Sequence, residues 1–189
     1  GIRPLWRASW RLGVMGLAVT LYYRIDTIVV FAFAGDVEAG YYTVAYRVLD
    51  VLQILPAVLL VPVLPLVARA TASGNSGAAE RVFGDCLVLG LAIALPIATL
   101  TAIRAEDLLT VLFGSEYAGG AAIFSLLAAS FLGITAGWIG TTVAVGSASV
   151  GPLWISAIAA AVTSIALNLI LVPTHGATWS AAITVVIEL

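Results

Sequence analysis

Four ionisable side chains stand inside long apolar stretches of this chain: Arg24, Asp26, Arg47 and Asp50. A charge at the centre of a bilayer costs about 2.5–3.5 kcal/mol on insertion scales. Residues of this kind persist where they pair with one another or line a watery cavity. The chemistry open to them is binding. A guanidinium fork grips a carboxylate or phosphate through two parallel hydrogen bonds. No nucleophile–base pair, metal-ligand spacing, phosphate loop or dinucleotide fingerprint accompanies them in the sequence. The single Cys86 and single His175 can form neither an internal disulfide nor a metal cluster. The sequence therefore implies no cofactor and leaves a coupling ion open.

Helix geometry sorts these residues. At about 100° per residue, Gly13, Thr20, Arg24, Thr27, Phe31 and Gly35 fall on one stripe, with Asp26 on the opposite face. In the next apolar stretch Thr43, Arg47, Asp50 and Ala57 share a side, with Gln53 at its edge. Arg47 and Asp50 are i,i+3 neighbours and can pair. Counted from Glu38, Arg24 lies fourteen residues back and Asp50 twelve forward. At about 1.5 Å per residue their depths differ by about 3 Å, so the two can meet near mid-membrane. The predicted substrate-binding set is Arg24, Arg47, Asp50, Thr20, Thr27 and Gln53, around one cavity with surplus positive charge. Helix pairing and the binding of a charged substrate both remain open roles for it. Asp26 is expected to face away from this cavity, as a structural, ion-pairing residue toward another helix or lobe. Asn168 shares a face with Ser164 and Ala161 and is expected to bridge helices. Gly133, Gly137 and Gly140 resemble small-residue packing contacts. Trp6, Trp10, Tyr41 and Tyr42 stand near span ends, where aromatic belts form.

The elements that must position these residues are membrane helices. Of 189 residues, 62% are hydrophobic and 10% charged, with a mean hydropathy of +1.13. An ordinary soluble domain carries about a quarter charged residues. That composition excludes a soluble enzyme, a nucleic-acid binder and a disordered chain. A crossing helix needs about 20 apolar residues. Six apolar runs follow one another, at about 12–34, 42–68, 82–103, 121–145, 153–172 and 177–189. The predicted fold is all-α: a polytopic transmembrane helix bundle in a single unit over 1–189. The chain opens on Gly1 and stops inside its sixth apolar run, so a piece of a longer protein is expected. Pro56, Pro62, Pro65 and Pro96 fall inside spans and are expected to bend them. The stretch 104–120 reads as the longest link. The basic start followed by Ala32-Phe33-Ala34 imitates a signal peptide, but the run is too long and holds Arg24 and Asp26. All eight basic residues are Arg. Alternating spans put Arg3, Arg7, Arg11, Arg69 and Arg81 on one side and Arg104 alone on the other. The positive-inside rule makes the first side cytoplasmic and turns Asp36 and Glu116 outward.

Several segments resemble the bacterial polysaccharide flippases, the O-antigen and exopolysaccharide repeat-unit exporters of the multidrug/oligosaccharidyl-lipid/polysaccharide superfamily. They are Tyr23-Arg24-Ile25-Asp26-Thr27 through Gly35-Asp36, then Gly40-Tyr41-Tyr42-Thr43-Val44-Ala45-Tyr46-Arg47, then Pro62 to Arg69. Leu112-Phe113-Gly114-Ser115-Glu116-Tyr117 and Leu167-Asn168-Leu169-Ile170-Leu171-Val172-Pro173, with Gly176-Ala177, are similar to later motifs of that family. The order and spacing of the segments carry the resemblance from about Arg11 onward. The chain departs from it at Ser147-Ala148-Ser149, which lacks a basic residue often found there, and at His175.

The resemblance implies two six-helix lobes rocking about a central cavity, with this chain as most of the second lobe. It implies export of an undecaprenyl-diphosphate-linked oligosaccharide across the bacterial cytoplasmic membrane, by alternating access and without enzymatic conversion. Membrane lipids and an N-terminal lobe of the same chain are its implied partners, with no nucleic acid. A multidrug or toxic-compound exporter and a lipid II flippase are related alternatives. A membrane glycosyl-lipid enzyme is the alternative of a different class, and it would need a large outside loop.

Overall fold

The computed structural model describes residues 25–73, 76–147 and 151–188. Helix α1 covers 25–33. Gly35, at φ 84, turns the chain into α2 (Asp36–Leu60). A positive φ is open to glycine at no steric cost. Asp36 and Glu38 sit in the first turn of α2, where acidic groups complement the positive helix end. Pro56 lies inside α2 without ending it. The break comes at Val61 and Pro62. The Val61 amide reaches back only to the Val58 carbonyl, at 3.3 Å. Pro62 has no amide to offer. Helix α3 (Val63–Ala72) then resumes, with Pro65 in its first turn. Pro96 likewise sits inside an unbroken α4 (Ser76–Ile103). Of the four prolines expected to bend spans, only Pro62 coincides with an interruption of helix.

The stretch 104–120, read from sequence as a link, is helical almost throughout. Helix α5 (Ala105–Phe113) buries Ala105 and Leu109, and a 3-10 turn spans Ser115–Gly120. Glu106 and Asp107 favour the start of α5, and Arg104 pairs with Asp107 at 2.9 Å on the surface. Then follow α6 (Ala121–Gly146), α7 (Gly151–His175) and α8 (Ala177–Glu188). Among the described residues there is no strand. Among the described residues, four helical spans are long and apolar enough to cross a membrane: Asp36–Ala72, Ala79–Ile103, Ser115–Gly146 and Ile155–His175. Helix α8 is a shorter apolar helix.

Helix α6 forms the centre of the bundle, packed against α2, α3, α4 and α8. Its Phe124, Leu127, Phe131, Ile134 and Ile139 are buried. Many other large apolar side chains point outward, including Phe31, Val58 and Val88. Lipid is as apolar as a core, so membrane helices need close backbone contact rather than an apolar stripe. Two glycines provide that contact. A Cβ at Gly90 would lie 2.7 Å from the Ile139 side chain, and one at Gly146 would lie 2.8 Å from Val67. Gly137 does not share this role, contrary to expectation. A Cβ there meets nothing within 4 Å, because Gly137 is on the outward side of α6. Gly140 comes only to 4.0 Å from Phe83, whereas Gly133 is buried.

One end of the bundle gathers three turns. Tyr41 of α2 lies against Gly119 and Gly120, and its ring meets that of Tyr117 edge-on at 6.3 Å. Glu38 bonds to the Ala177 amide at 2.6 Å. The α1–α2 turn, the α4–α6 connection and the α7–α8 turn thus share one end.

Candidate functional site

Asp26 of α1 is 4% exposed and faces the bundle interior. Its Oδ2 accepts a hydrogen bond from the Tyr42 hydroxyl at 2.7 Å and another from the Tyr46 hydroxyl. Its Oδ1 accepts from the Thr27 amide at 2.7 Å and lies 3.4 Å from the Thr27 hydroxyl. Tyr42 and Tyr46 are i,i+4 on α2, so both reach the same carboxylate from one helix face. Their ring centroids are 5.0 Å apart.

The network continues into the last two helices. Ser180 of α8 lies 3.2 Å from the Tyr42 hydroxyl and donates to Asn168 Oδ1 at 2.6 Å. Asn168 of α7 donates through Nδ2 to the Ser164 carbonyl at 2.9 Å. Tyr42, Asn168 and Ser180 are each 0% exposed. Four helices therefore meet on one buried polar chain. Every buried side-chain polar atom among the described residues has a partner, as a closed interior demands.

Asp26, expected to face away from the cavity and to ion-pair with another helix or lobe, is indeed turned from the exposed Arg47–Asp50 stripe. But it meets α2 itself, through the hydroxyls of Tyr42 and Tyr46. The Val29 and Val30 edge of α1 is buried, and Asp26 enters the bundle with it, while Ile28 and Phe31 point outward. Phe31, on the stripe expected to look at α2, is 67% exposed. The partners of Asp26 among the described residues are hydroxyls and an amide, not a cation. Tyr42, expected in an interfacial belt, is a core residue.

The other predicted residues lie elsewhere. Thr43, Arg47 and Asp50 are exposed along one stripe of α2, and Gln53 is half-buried beside it. The stripe becomes apolar farther along α2, at the exposed Ile54 and Val58. Arg47 and Asp50 are not in ion-pair contact, and Arg104–Asp107 is the one ion pair among the described residues. Thr27 is half-buried and bonds Asp26 instead of joining Arg47 and Asp50. Thr20 and Arg24 lie outside the described residues, as do Trp6 and Trp10.

Sequence reasoning missed Tyr42, Tyr46 and Ser180. The i,i+4 tyrosines two turns into an apolar helix were a usable signal. Ser180, isolated in an apolar run, gave none.

The architecture is that of an all-helical, multi-pass membrane protein. A family model described as polysaccharide biosynthesis protein matches residues 1–122, and the chain belongs to that family. Its role is accordingly in polysaccharide biosynthesis. The matched region includes Asp26, Tyr42, Tyr46, Arg47 and Asp50; Asn168 and Ser180 lie beyond it. No curated protein and no solved structure matches the chain.

Proposed function

We propose that this chain is the greater part of one lobe of a transporter that flips lipid-linked oligosaccharide repeat units across the bacterial cytoplasmic membrane. The substrate is an undecaprenyl-diphosphate sugar, moved unchanged, so the protein is not an enzyme. A second lobe and the surrounding lipids are its structural partners.

One observation carries the reading beyond family membership. Arg47 and Asp50 are exposed on a membrane-spanning helix, eleven and fourteen residues into α2, with no ion pair between them. At about 1.5 Å per residue, Arg47 is about 17 Å along the helix. Charges at that depth call for a watery cavity or a partner. The stripe then turns apolar at Ile54 and Val58. A polar half beside an apolar half matches an amphiphile with a charged diphosphate head and a hydrocarbon tail. Alternating access, one lobe rocking on the other about this face, moves the head across.

The test is surface polysaccharide in a flippase-deficient strain carrying the full-length gene. Arg47→Ala should lower it sharply while the protein still accumulates in the membrane. Arg47→Lys keeps the charge but loses the bidentate fork, and should retain part of the activity. Normal polysaccharide with Arg47→Ala would refute diphosphate binding at this stripe.

A further inference from the structure

The candidates outside the proposed substrate face are an apolar crevice beside Gly90, the Glu38 contact with α8, and the buried Asp26 network. The crevice measures about 100 Å³ and is walled by Pro56, Leu60, Gly90 and Ile139 among others, and nothing in the fold selects an occupant for it. The Asp26 network goes further.

A carboxylate buried in a membrane bundle ordinarily has a cation beside it. Asp26 has none within ion-pair distance among the described residues. The facing groups can be named element by element. From α1 there is Thr27, and from α2 there are Tyr42 and Tyr46. From α8 there are Ser180, with Asn168 of α7 behind it, and Thr184 beside the Tyr46 hydroxyl. Helix α6 carries no ionisable residue from Ala121 to Gly146. The charged Asp36, Arg47 and Asp50 of α2 point outward, and Glu38 bonds the Ala177 amide. Among the described residues, hydroxyl and amide groups alone set the environment.

We propose that Asp26 is a proton-binding site, and that the chain Tyr42–Ser180–Asn168 is built to satisfy both the ionised and the protonated carboxyl. With Asp26 ionised, Tyr42 and Tyr46 both donate to Oδ2, and Ser180 donates to Asn168 Oδ1. When one proton moves from water onto Oδ2, the carboxylate charge is lost and the new O–H donates to the Tyr42 oxygen. The Tyr42 hydroxyl then rotates away from Asp26 and donates to the Ser180 oxygen, 3.2 Å away. Ser180 goes on donating to Asn168 Oδ1 at 2.6 Å, and Tyr46 goes on donating to Oδ2. No covalent bond other than the carboxyl O–H forms, and one hydroxyl turns.

Geometry distinguishes a proton from a metal ion. The four contacts to Asp26 are donors directed at its oxygens, not a ring of carbonyl and carboxylate oxygens around a hole. Among the described residues no group of three or more His, Cys, Asp or Glu could hold a metal. A proton needs only that one donor can become an acceptor, and Tyr42 is that donor. The half-buried Thr27 hydroxyl, 3.4 Å from Oδ1, is the member of the network nearest the surface.

The consequence is mechanical. In the ionised state both tyrosine hydroxyls of α2 point at α1. In the protonated state one of them points at α8 instead. Proton occupancy thus redistributes hydrogen bonds between the α1–α2 and α2–α8 contacts.

The experiment is pH-difference infrared spectroscopy on the full-length protein in lipid nanodiscs. It needs no substrate, so its failure is separate from a failure of the export reading. A protonated-carboxyl C=O band should appear as the pH falls and be missing in Asp26→Asn. In Tyr42→Phe the band should move in frequency, because the acceptor of the carboxyl proton is gone. Identical difference spectra for the natural protein and Asp26→Asn, at every pH where both stay folded, would overturn the proposal. If Asp26→Asn fails to insert, Asp26→Glu keeps a carboxyl and should shift the same band, and an unmoved band would overturn it equally.

Discussion

The carboxylate of Glu38 accepts a hydrogen bond from the backbone amide of Ala177 at 2.6 Å, across 139 residues of sequence. The first turn of α2 thereby holds the first residue of α8. An α-helix begins with amides that have no partner inside the helix, and it carries partial positive charge there. Glu38 answers both needs. Gly176, at φ +78, makes the bend between α7 and α8, and a side chain there would press on the Glu38 carboxylate.

Glu38→Ala should therefore destabilise the protein by about 1–2 kcal/mol, through the lost charge–dipole contact and an unmet amide. Glu38→Gln keeps an acceptor without the charge and should cost less. Thermal unfolding in detergent micelles measures both. An unchanged melt for Glu38→Ala would mean that the α8 amide finds water as readily as it finds Glu38.

Tyr42→Phe removes one donor from Asp26 and leaves Ser180 facing a ring edge. A buried polar group that loses a partner costs about 1–3 kcal/mol. Ser180→Ala should cost a similar amount, because Asn168 Oδ1 loses its donor. The two changes touch one network, so the double variant should lose less than the sum of the singles. Strict additivity in the same unfolding measurement would show that Tyr42 and Ser180 act independently.

The α3–α6 crossing makes a steric prediction. Gly146 leaves no room for a side chain beside Val67, where its Cβ would lie 2.8 Å from the Val67 Cβ and 3.3 Å from the Leu64 carbonyl oxygen. Gly146→Val should destabilise by about 1–3 kcal/mol or more through overpacking. Gly137→Ala meets only open space and should be neutral, or stabilising by up to about 1 kcal/mol from helix propensity. Equal melting temperatures for Gly146→Val and the natural protein would place that crossing farther apart.

The all-helical membrane class was readable because it depends on composition and run length, which no tertiary contact can alter. Pro62 was not readable apart from Pro56, Pro65 and Pro96, because a proline's effect on a membrane helix depends on what its neighbours supply to the freed carbonyl. The run before Tyr42 did not read as helix, although α2 begins at Asp36. The link at 104–120 was misread because a nine-residue helix has too few turns to stand out by length. Which face of α1 meets α2 was not readable either. A wheel gives the angle between Asp26 and Phe31, but in a chain apolar all round it does not say which of them points inward. The bond from Glu38 to Ala177 and the bond from Ser180 to Asn168 depend on how α8 docks, and one apolar 12-residue segment carries no mark of that.

Arg24 stands two residues before Asp26 in the sequence. The bundle interior around Asp26 is satisfied by hydroxyls, which removes the need for Arg24 to neutralise that carboxylate. What remains for it is the cavity role or a pairing with Asp50, which is exposed and outside any ion pair among the described residues. If Arg24 grips a diphosphate, Arg24→Ala should weaken substrate binding by about 10- to 100-fold, the worth of a charge-assisted hydrogen bond. Surface polysaccharide should fall accordingly while the protein accumulates. Arg24→Lys should keep part of the activity. If Arg24 serves only to offset Asp50, the double change Arg24→Ala with Asp50→Ala should restore export, since no charge is then left without its partner. Near-normal polysaccharide from that double variant would remove Arg24 from the substrate site and leave it a helix-pairing residue. Continued loss in the double variant would place the guanidinium on the substrate itself.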